Sequence, residues 1–507
     1  VSAGAVPELR ATADNLRFGV KFEVPDTLPD TGGAALPAHQ PRTGASGPTR
    51  AADPLAELGQ RQAALSANAV DVLEIAAGLE ADGLTDQAVR ARYGLPNVFD
   101  LAEHLRQHTP SAPTDRAAPP NPWQARPATH LVRGLLFGLP ALCYTAAAPL
   151  IAGRTGFTLV MVSVLLAWSL SQGLAYLGYA RMSQPNAPGL VALLRGGMLA
   201  AVLAVSAALT VTVTLVGSIT ESWSALLFAI GQGAYLMAAT VLLVQGGERW
   251  LLISLAPAVL ASAAFLVLDR PAWLFPLAVP ALATSVVLVL ELALCWSPQP
   301  EQGARWDGRP QVSGRELANA LPHAGYGLTV AGLVAFPSVI GTAPFAAMVV
   351  LPLSLSMGPA EWLLYRYRAR IYDLLRGSHG LRGFASGARR TLAGTVGRYL
   401  ASTAVLVLAA LAIAIPTGYA DPLWTALLCC VAYLALGAAL MLSLMLQTCG
   451  FPLVALGTCA LALLTEIALV GTGLLDLVVG QCAVSLALLA VLATHALVAL
   501  ADPARHH

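Results

Sequence analysis

Charge is what this chain has least of. Only 11% of its 507 residues are Asp, Glu, Lys or Arg, against 56% hydrophobic, whereas a soluble domain carries roughly 25% charged residues. Lysine is nearly absent: Lys21 stands alone, so positive charge is almost all arginine. The 29 basic and 28 acidic residues balance, which argues against a nucleic-acid binder, since that would need a basic stripe to neutralise phosphates. The seven cysteines lie in or beside apolar runs without metal-ligand spacing, so they read as small buried hydrophobes. No Walker-type phosphate loop occurs. Fibrous, disordered and disulfide-stapled classes fail on the same arithmetic. What remains is an all-α, polytopic membrane protein with a small helical head, and no cofactor or metal is expected.

Residues 1–58 mix Pro, Gly, Ala and Thr without a sustained period and are expected to be disordered. No positively charged start precedes an apolar core, so the first insertion signal is expected near Leu131. Residues 59–109 turn helical. Leu65, Val72, Ile75, Ala76 and Leu79 share a face, Thr85 caps a second helix that Gly94-Leu95-Pro96 ends, and Asn97 with Asp100 opens a third carrying Phe99, Leu101 and Leu105. Acids such as Glu74, Glu80, Asp82 and Glu103 outnumber Arg90, Arg92 and Arg106. That would repel phosphates and favours docking of a cytoplasmic protein partner over DNA reading. Residues 110–130 are proline-rich and read as a stiff tether.

Twelve apolar runs follow, each long enough for a ~30 Å hydrocarbon core. They lie near 132–152, 157–180, 192–216, 223–245, 249–268, 272–295, 320–342, 345–365, 397–417, 422–446, 450–471 and 474–500. With both termini in the cytoplasm, the inner loops hold Arg181, Arg249, Arg305, Arg309, Arg315 and the run Arg366 to Arg390. The outer loops then hold only Arg154 and Arg270, as the positive-inside rule requires of a cell-membrane protein.

The runs repeat. Pro149-Leu-Ile-Ala-Gly153 matches Pro337-Ser-Val-Ile-Gly341, and at the same offset Phe157 meets Phe345 and Tyr179 meets Tyr367. Trp223-Ser-Ala-Leu-Leu227 opening span 4 matches Trp424-Thr-Ala-Leu-Leu428 opening span 10, and Arg195 of span 3 pairs with Arg398 of span 9. Residues 131–296 and 320–500 are thus two parallel six-helix repeats joined by a cytoplasmic linker, 297–319, with a short tail, 501–507. Such a plan places a cavity between the halves and moves substrate by rocking one against the other. Two six-span halves, bent first spans (Pro140 and Pro149; Pro322 and Pro337) and basic links after spans 2 and 8 resemble the multidrug/oligosaccharidyl-lipid/polysaccharide flippase superfamily, and within it the Pel-type polysaccharide exporters. The resemblance covers roughly 131–500. It implies export of a polysaccharide or lipid-linked glycan by alternating access. Cation-coupled drug exporters of that superfamily usually carry a carboxylate in span 1, which Leu131–Ala152 lacks.

Polar groups inside a bilayer are costly, so each one is a candidate site. Arg195 and Arg398 either clamp pyrophosphate or acidic sugar groups at the inner mouth or snorkel to lipid headgroups. Glu466, the deepest acid, is either a proton carrier or a neutral interhelical partner. Glu361 follows Gly358-Pro359, expected to break span 8 and open carbonyls to a cavity. Ser169-Leu-Ser-Gln172-Gly173 is the polar, loosened counterpart in span 2. Gln172, Tyr176 and Glu361 are therefore expected to line the cavity, with interhelical packing as the alternative. His323 and His495 read as structural. Arg366 to Arg390 reads as an interfacial amphipathic helix or as topology-setting charge alone. A small-molecule antiporter of the major-facilitator type is the main rival, but the link Ala180-Arg-Met-Ser-Gln-Pro-Asn-Ala-Pro188 lacks that group's acid and most of its glycines. A membrane enzyme is disfavoured by scattered outer acids, and a non-transporting scaffold stays open.

Overall fold

The computed structural model describes residues 54–63, 66, 69, 72–108, 127–183, 189–268, 272–296, 312–340, 344–377, 381–416, 418, 420 and 422–502. The expected disordered region up to residue 53, the tether 110–126, most of the linker 297–319 and the end of the tail lie outside them. The chain divides into two compact units, 22–120 and the remainder.

In the smaller unit, α1 (Pro54–Arg61), α2 (Val72–Ala81), α3 (Asp86–Tyr93) and α4 (Val98–His108) enclose Leu58, Ile75, Leu79, Val89, Leu101 and Leu105. The helical region thus starts at Pro54, ahead of the boundary expected at 58. Thr85 Oγ1 accepts the Ala88 N–H at 3.3 Å, and Gly94 ends α3 in the left-handed region at φ 70°, where glycine pays no Cβ penalty. Asn97 Oδ1 accepts the Asp100 N–H at 2.8 Å, while the Asp86 carboxylate accepts the Val98 N–H at 2.9 Å and ties α3 to α4. Phe99, carried on α4, is half exposed.

The larger unit is all helix among its described residues and crosses twelve times. Crossing 1 is α5 (Pro127–Gly138) with α6 (Pro140–Ala147). Crossings 2 to 6 are α7 (Gly153–Met182), α8 (Leu190–Val216), α9 (Ile219–Val244), α10 (Glu248–Val267) and α11 (Phe275–Cys295). Crossing 7 is α12 (Gly314–Ile340), and crossing 8 is α13 (Pro344–Leu355) with α14 (Met357–Gly377). Crossings 9 to 12 are α15 (Leu381–Ala414), α16 (Leu423–Thr448), α17 (Pro452–Gly471) and α18 (Leu477–Ala499). Nine of the described helices are individually long and apolar enough to span a membrane; crossings 1 and 8 are each made of two pieces, and crossing 7 carries a charged first turn. Pro140 breaks crossing 1 because it has no N–H to donate and its ring collides with the carbonyl one turn back. Leu203, Leu215, Leu260, Val267 and Leu461 are widely exposed, as hydrocarbon-facing side chains must be.

Packing obeys the repeat. In the first half crossing 4 packs on 2, 3 and 6, crossing 5 on 6 and 1, and crossing 2 on 3. In the second half 10 packs on 8, 9 and 12, 11 on 12 and 7, and 8 on 9. The buried faces agree in spacing as well: Leu251, Leu255, Ala258 and Ser262 on α10 correspond to Ala455, Cys459, Ala462 and Glu466 on α17. Between the halves the contacts are reciprocal, crossing 2 on 7 and crossing 1 on 8. The reason is small residues. A Cβ on Gly327 would sit 2.9 Å from the Trp168 carbonyl oxygen, and one on Gly134 would sit 2.9 Å from the Gly358 Cα, so the helix backbones touch.

Three local expectations are corrected. Crossing 8 breaks at Ser356, before Gly358-Pro359, and the break is covered by Gly134 of α5 instead of opening onto a cavity. The stretch Ser169–Gly173 is not loosened, since α7 runs unbroken through it. No separate interfacial helix spans Arg366–Arg390: α14 and α15 run on as a hairpin. Its apolar face, Ile371, Phe384, Ala388 and Leu392, is buried against protein.

Candidate functional site

Crossings 2, 7 and 10 leave a shallow cleft, open to solvent, on the arginine-rich side of the unit. It is lined by Gln172, Tyr176 and Tyr179 of α7, His323 of α12, and Gln447 and Thr448 of α16, so both halves contribute. Side chains three and four apart on a helix stack on one face, which is why Gln172, Tyr176 and Tyr179 present a continuous strip. The Tyr176 and His323 rings stack across the halves, centroids 4.3 Å apart and 15° from parallel. His323 Nδ1 lies 3.1 Å from Gln447 Oε1. The Gln447 side chain also approaches the Tyr326 hydroxyl, and its amide nitrogen is buried. One turn further along α12, the Tyr326 and Ser443 hydroxyls are hydrogen-bonded, which steadies α12 on α16.

Two ion-pair groups lie at the same end of the interface. Arg181, at the end of α7, donates to Glu316 at 3.0 Å. Glu316 is also the reciprocal cap of α12: its carboxylate accepts the Ser313 N–H at 2.8 Å while Ser313 Oγ accepts the Glu316 N–H at 3.2 Å. Glu316 lies ahead of the apolar stretch of crossing 7. The Ser313 backbone N–H first, then the Ser313 hydroxyl and the Arg181 guanidinium, hold its carboxyl below the usual glutamate range. The second group centres on Arg133 of α5, which pairs with Glu361 of α14 across the halves and with Glu248 of α10 within its own half, Nε to Oε1 at 2.9 Å. All three side chains are largely buried.

The structure sorts the expected residues. Gln172 and Tyr176 line the cleft. Glu361 does not; its carboxylate is occupied by Arg133. Glu466 is fully buried in the second half, away from the cleft, with both oxygens lacking a hydrogen-bond partner and Tyr433 near it. Arg195 donates to the Ala293 and Trp296 carbonyls at 3.3 Å and so closes the end of α11. Arg398, expected to open span 9, lies midway along the 34-residue α15, exposed, and donates to its own Gly394 carbonyl at 3.1 Å. The two arginines meet no common site in this state. Sequence reasoning read His323 as structural and passed over Gln447. Gln447 carried a usable signal, an amide at the end of an otherwise apolar run. His323 carried none, because its role comes from a stacking partner more than a hundred positions away.

No family model matches this chain, and no curated protein matches it. Solved structures similar to it include the outward-facing conformation of a multidrug resistance MATE family transporter of the MOP superfamily, 15% identical at TM-score 0.47, over 74% of this chain and 94% of that one. Others are MATE in complex with Br-NRF (13%, TM-score 0.45, 76% and 98%) and MATE in the bent conformation (12%, TM-score 0.45, 75% and 97%). At these identities the likeness does not extend to cargo. Among the described residues no three His, Cys, Asp or Glu side chains are grouped to hold a metal ion.

Proposed function

We propose that this chain is a cell-membrane transporter that exports a polysaccharide or lipid-linked glycan by alternating access, its two halves rocking about the cleft. One observation carries the reading: the cleft sits on a pseudo-symmetric interface, and amides, hydroxyls and stacked rings line it without a carboxylate or guanidinium. Sugar rings suit that lining. Their hydroxyls exchange hydrogen bonds with Gln172, Gln447 and Thr448, and their C–H faces lie on Tyr176. An organic cation would find no counter-charge there, which disfavours the antiporter reading. The arginine-rich side is the cytoplasm, so both ends of the membrane unit face inward. The acidic head then docks a cytoplasmic protein partner. Export is the whole activity in this reading, and no catalytic residue is assigned.

The test is uptake in inside-out proteoliposomes of a fluorescent lipid-linked disaccharide, with ethidium as the cationic comparison. Saturable movement of the disaccharide, reduced at least about tenfold by Gln172→Ala with Gln447→Ala, supports the reading; a tenfold loss corresponds to about 1.4 kcal/mol, the scale of one or two hydrogen bonds. Movement of ethidium alone would assign the cleft to small-molecule antiport.

A further inference from the structure

Among the described polar contacts between the halves, Tyr176 on His323, Arg181 with Glu316, and Arg133 with Glu361 fall in the arginine-rich part of the interface, and Ser169 Oγ to the Ala324 carbonyl lies deeper, midway along α7. The two ion pairs occupy the two reciprocal arms, crossing 2 on 7 and crossing 1 on 8. Arg133 differs from an ordinary bridge in having a second carboxylate, Glu248, on its own half. Glu248 is held in turn by the first turn of α10, where backbone N–H groups favour an anion. Separating the halves would strand a guanidinium in a place with little water if Glu361 were its only partner, and that cost forbids easy opening. With Glu248 moving alongside it, Arg133 stays paired in either position. Tyr179 lies in the field of all three charges and also lines the cleft, so the latch adjoins the cleft.

We infer that Arg133 and the Arg181–Glu316 pair form a two-armed latch that holds the two halves together beside the open cleft, and that Glu248 is the resident counter-ion that lets the Arg133 arm release. This rests on the alternating-access reading for its purpose but is tested by conformation alone. The full chain, with its native cysteines replaced and Ser169→Cys placed between the halves, where Ser169 meets the Ala324 carbonyl, is labelled in inside-out vesicles with a membrane-impermeant maleimide. Glu361→Gln with Glu316→Gln is expected to label about tenfold faster than the parent, the shift produced by loosening a two-state closure by one decade. Glu248→Gln is expected to label no faster, because Arg133 keeps Glu361. Arg181→Gln with Glu361→Gln, which breaks the same two arms but leaves the Glu316 cap of α12 in place, is expected to label as fast as the first double variant, which separates a latch from a weakened helix start. Equal rates in the parent and either double variant, or equal acceleration by Glu248→Gln, overturn the proposal. A working latch without disaccharide transport would leave this inference standing and remove the cargo reading.

Discussion

The two halves share one scaffold but fill matching slots with different chemistry. On the buried face of crossing 5 the last slot is Ser262, beside Cys143. Its counterpart on crossing 11 is Glu466, beside Tyr433. At the bent seventh crossing, Pro337 has no N–H for the Leu333 carbonyl, which instead receives Gln481 Nε2 at 3.5 Å, and the Val334 carbonyl accepts the Tyr433 hydroxyl at 3.2 Å. The second half therefore holds a buried polar centre where the first half keeps a small hydroxyl. Duplicated helices preserve packing because packing is set by side-chain volume along a face. Polarity at one slot is free to diverge wherever neighbouring backbone can answer it.

The sharpest way to break the comparison is at the interface both halves share. Gly327→Val is expected to destabilise the membrane unit by about 3 kcal/mol, since its side chain meets backbone. Gly457→Val, with nothing near its Cβ, is expected to leave the melting temperature in detergent unchanged. Next comes the divergent slot. Ser262→Glu in the first half is expected to cost about 2 kcal/mol or more in thermal unfolding, the penalty of a buried polar group without a partner. Glu466→Gln in the second half, which keeps size and polarity, is expected to stay within about 1 kcal/mol. A comparable loss in both would show that the halves are equally intolerant and that the polar centre has no tolerance of its own.

The paired arginines supply a smaller effect. Arg195→Gln removes donors from two carbonyls at the end of α11 and is expected to lower stability by about 1 kcal/mol. Arg398→Gln, exposed and bonded only within its own helix turn, is expected to lie within about 0.5 kcal/mol of the parent. Smallest is the response to pH. A carboxyl held low contributes above the ordinary glutamate range near 4.3 and loses its contribution as pH falls through its lowered value. The Arg181–Glu316 arm is thus expected to hold unchanged between about pH 6 and 8 and to weaken only in stronger acid. The difference in melting temperature between the parent and Glu316→Gln across pH is the measurement, and a change in that difference between pH 6 and 8 would contradict the assignment.

Much of the scaffold was readable in one dimension. Every apolar run became a crossing, the Thr85 and Asn97 caps formed as spaced, and the repeat of Trp223 in Trp424 marks equivalent starts of α9 and α16. The site was readable only in part. Gln172 and Tyr176 line the cleft because polar residues on an apolar helix have few other places to go. Glu361 misled because its neighbours Gly358 and Pro359 signalled a break, while its actual partner, Arg133, sits on another crossing. Arg398 misled because α15 begins well before the apolar stretch, so a residue at the edge of the run lies in the middle of the helix.

By itself the sequence determined the number of crossings, the arginine asymmetry between their two ends, the duplication and the head's helix ends. All of these follow from local demands: in lipid each backbone group must be satisfied within its own helix, and a cap acts within one turn. Only the tertiary structure decided that His323 stacks on Tyr176, that Arg133 is shared between Glu248 and Glu361, and that Arg195 and Arg398 part company. Those outcomes depend on how each helix is rotated about its own axis against its neighbours. Small side chains such as Gly134 and Gly327 set that rotation through close packing, and no periodicity along a single helix records it.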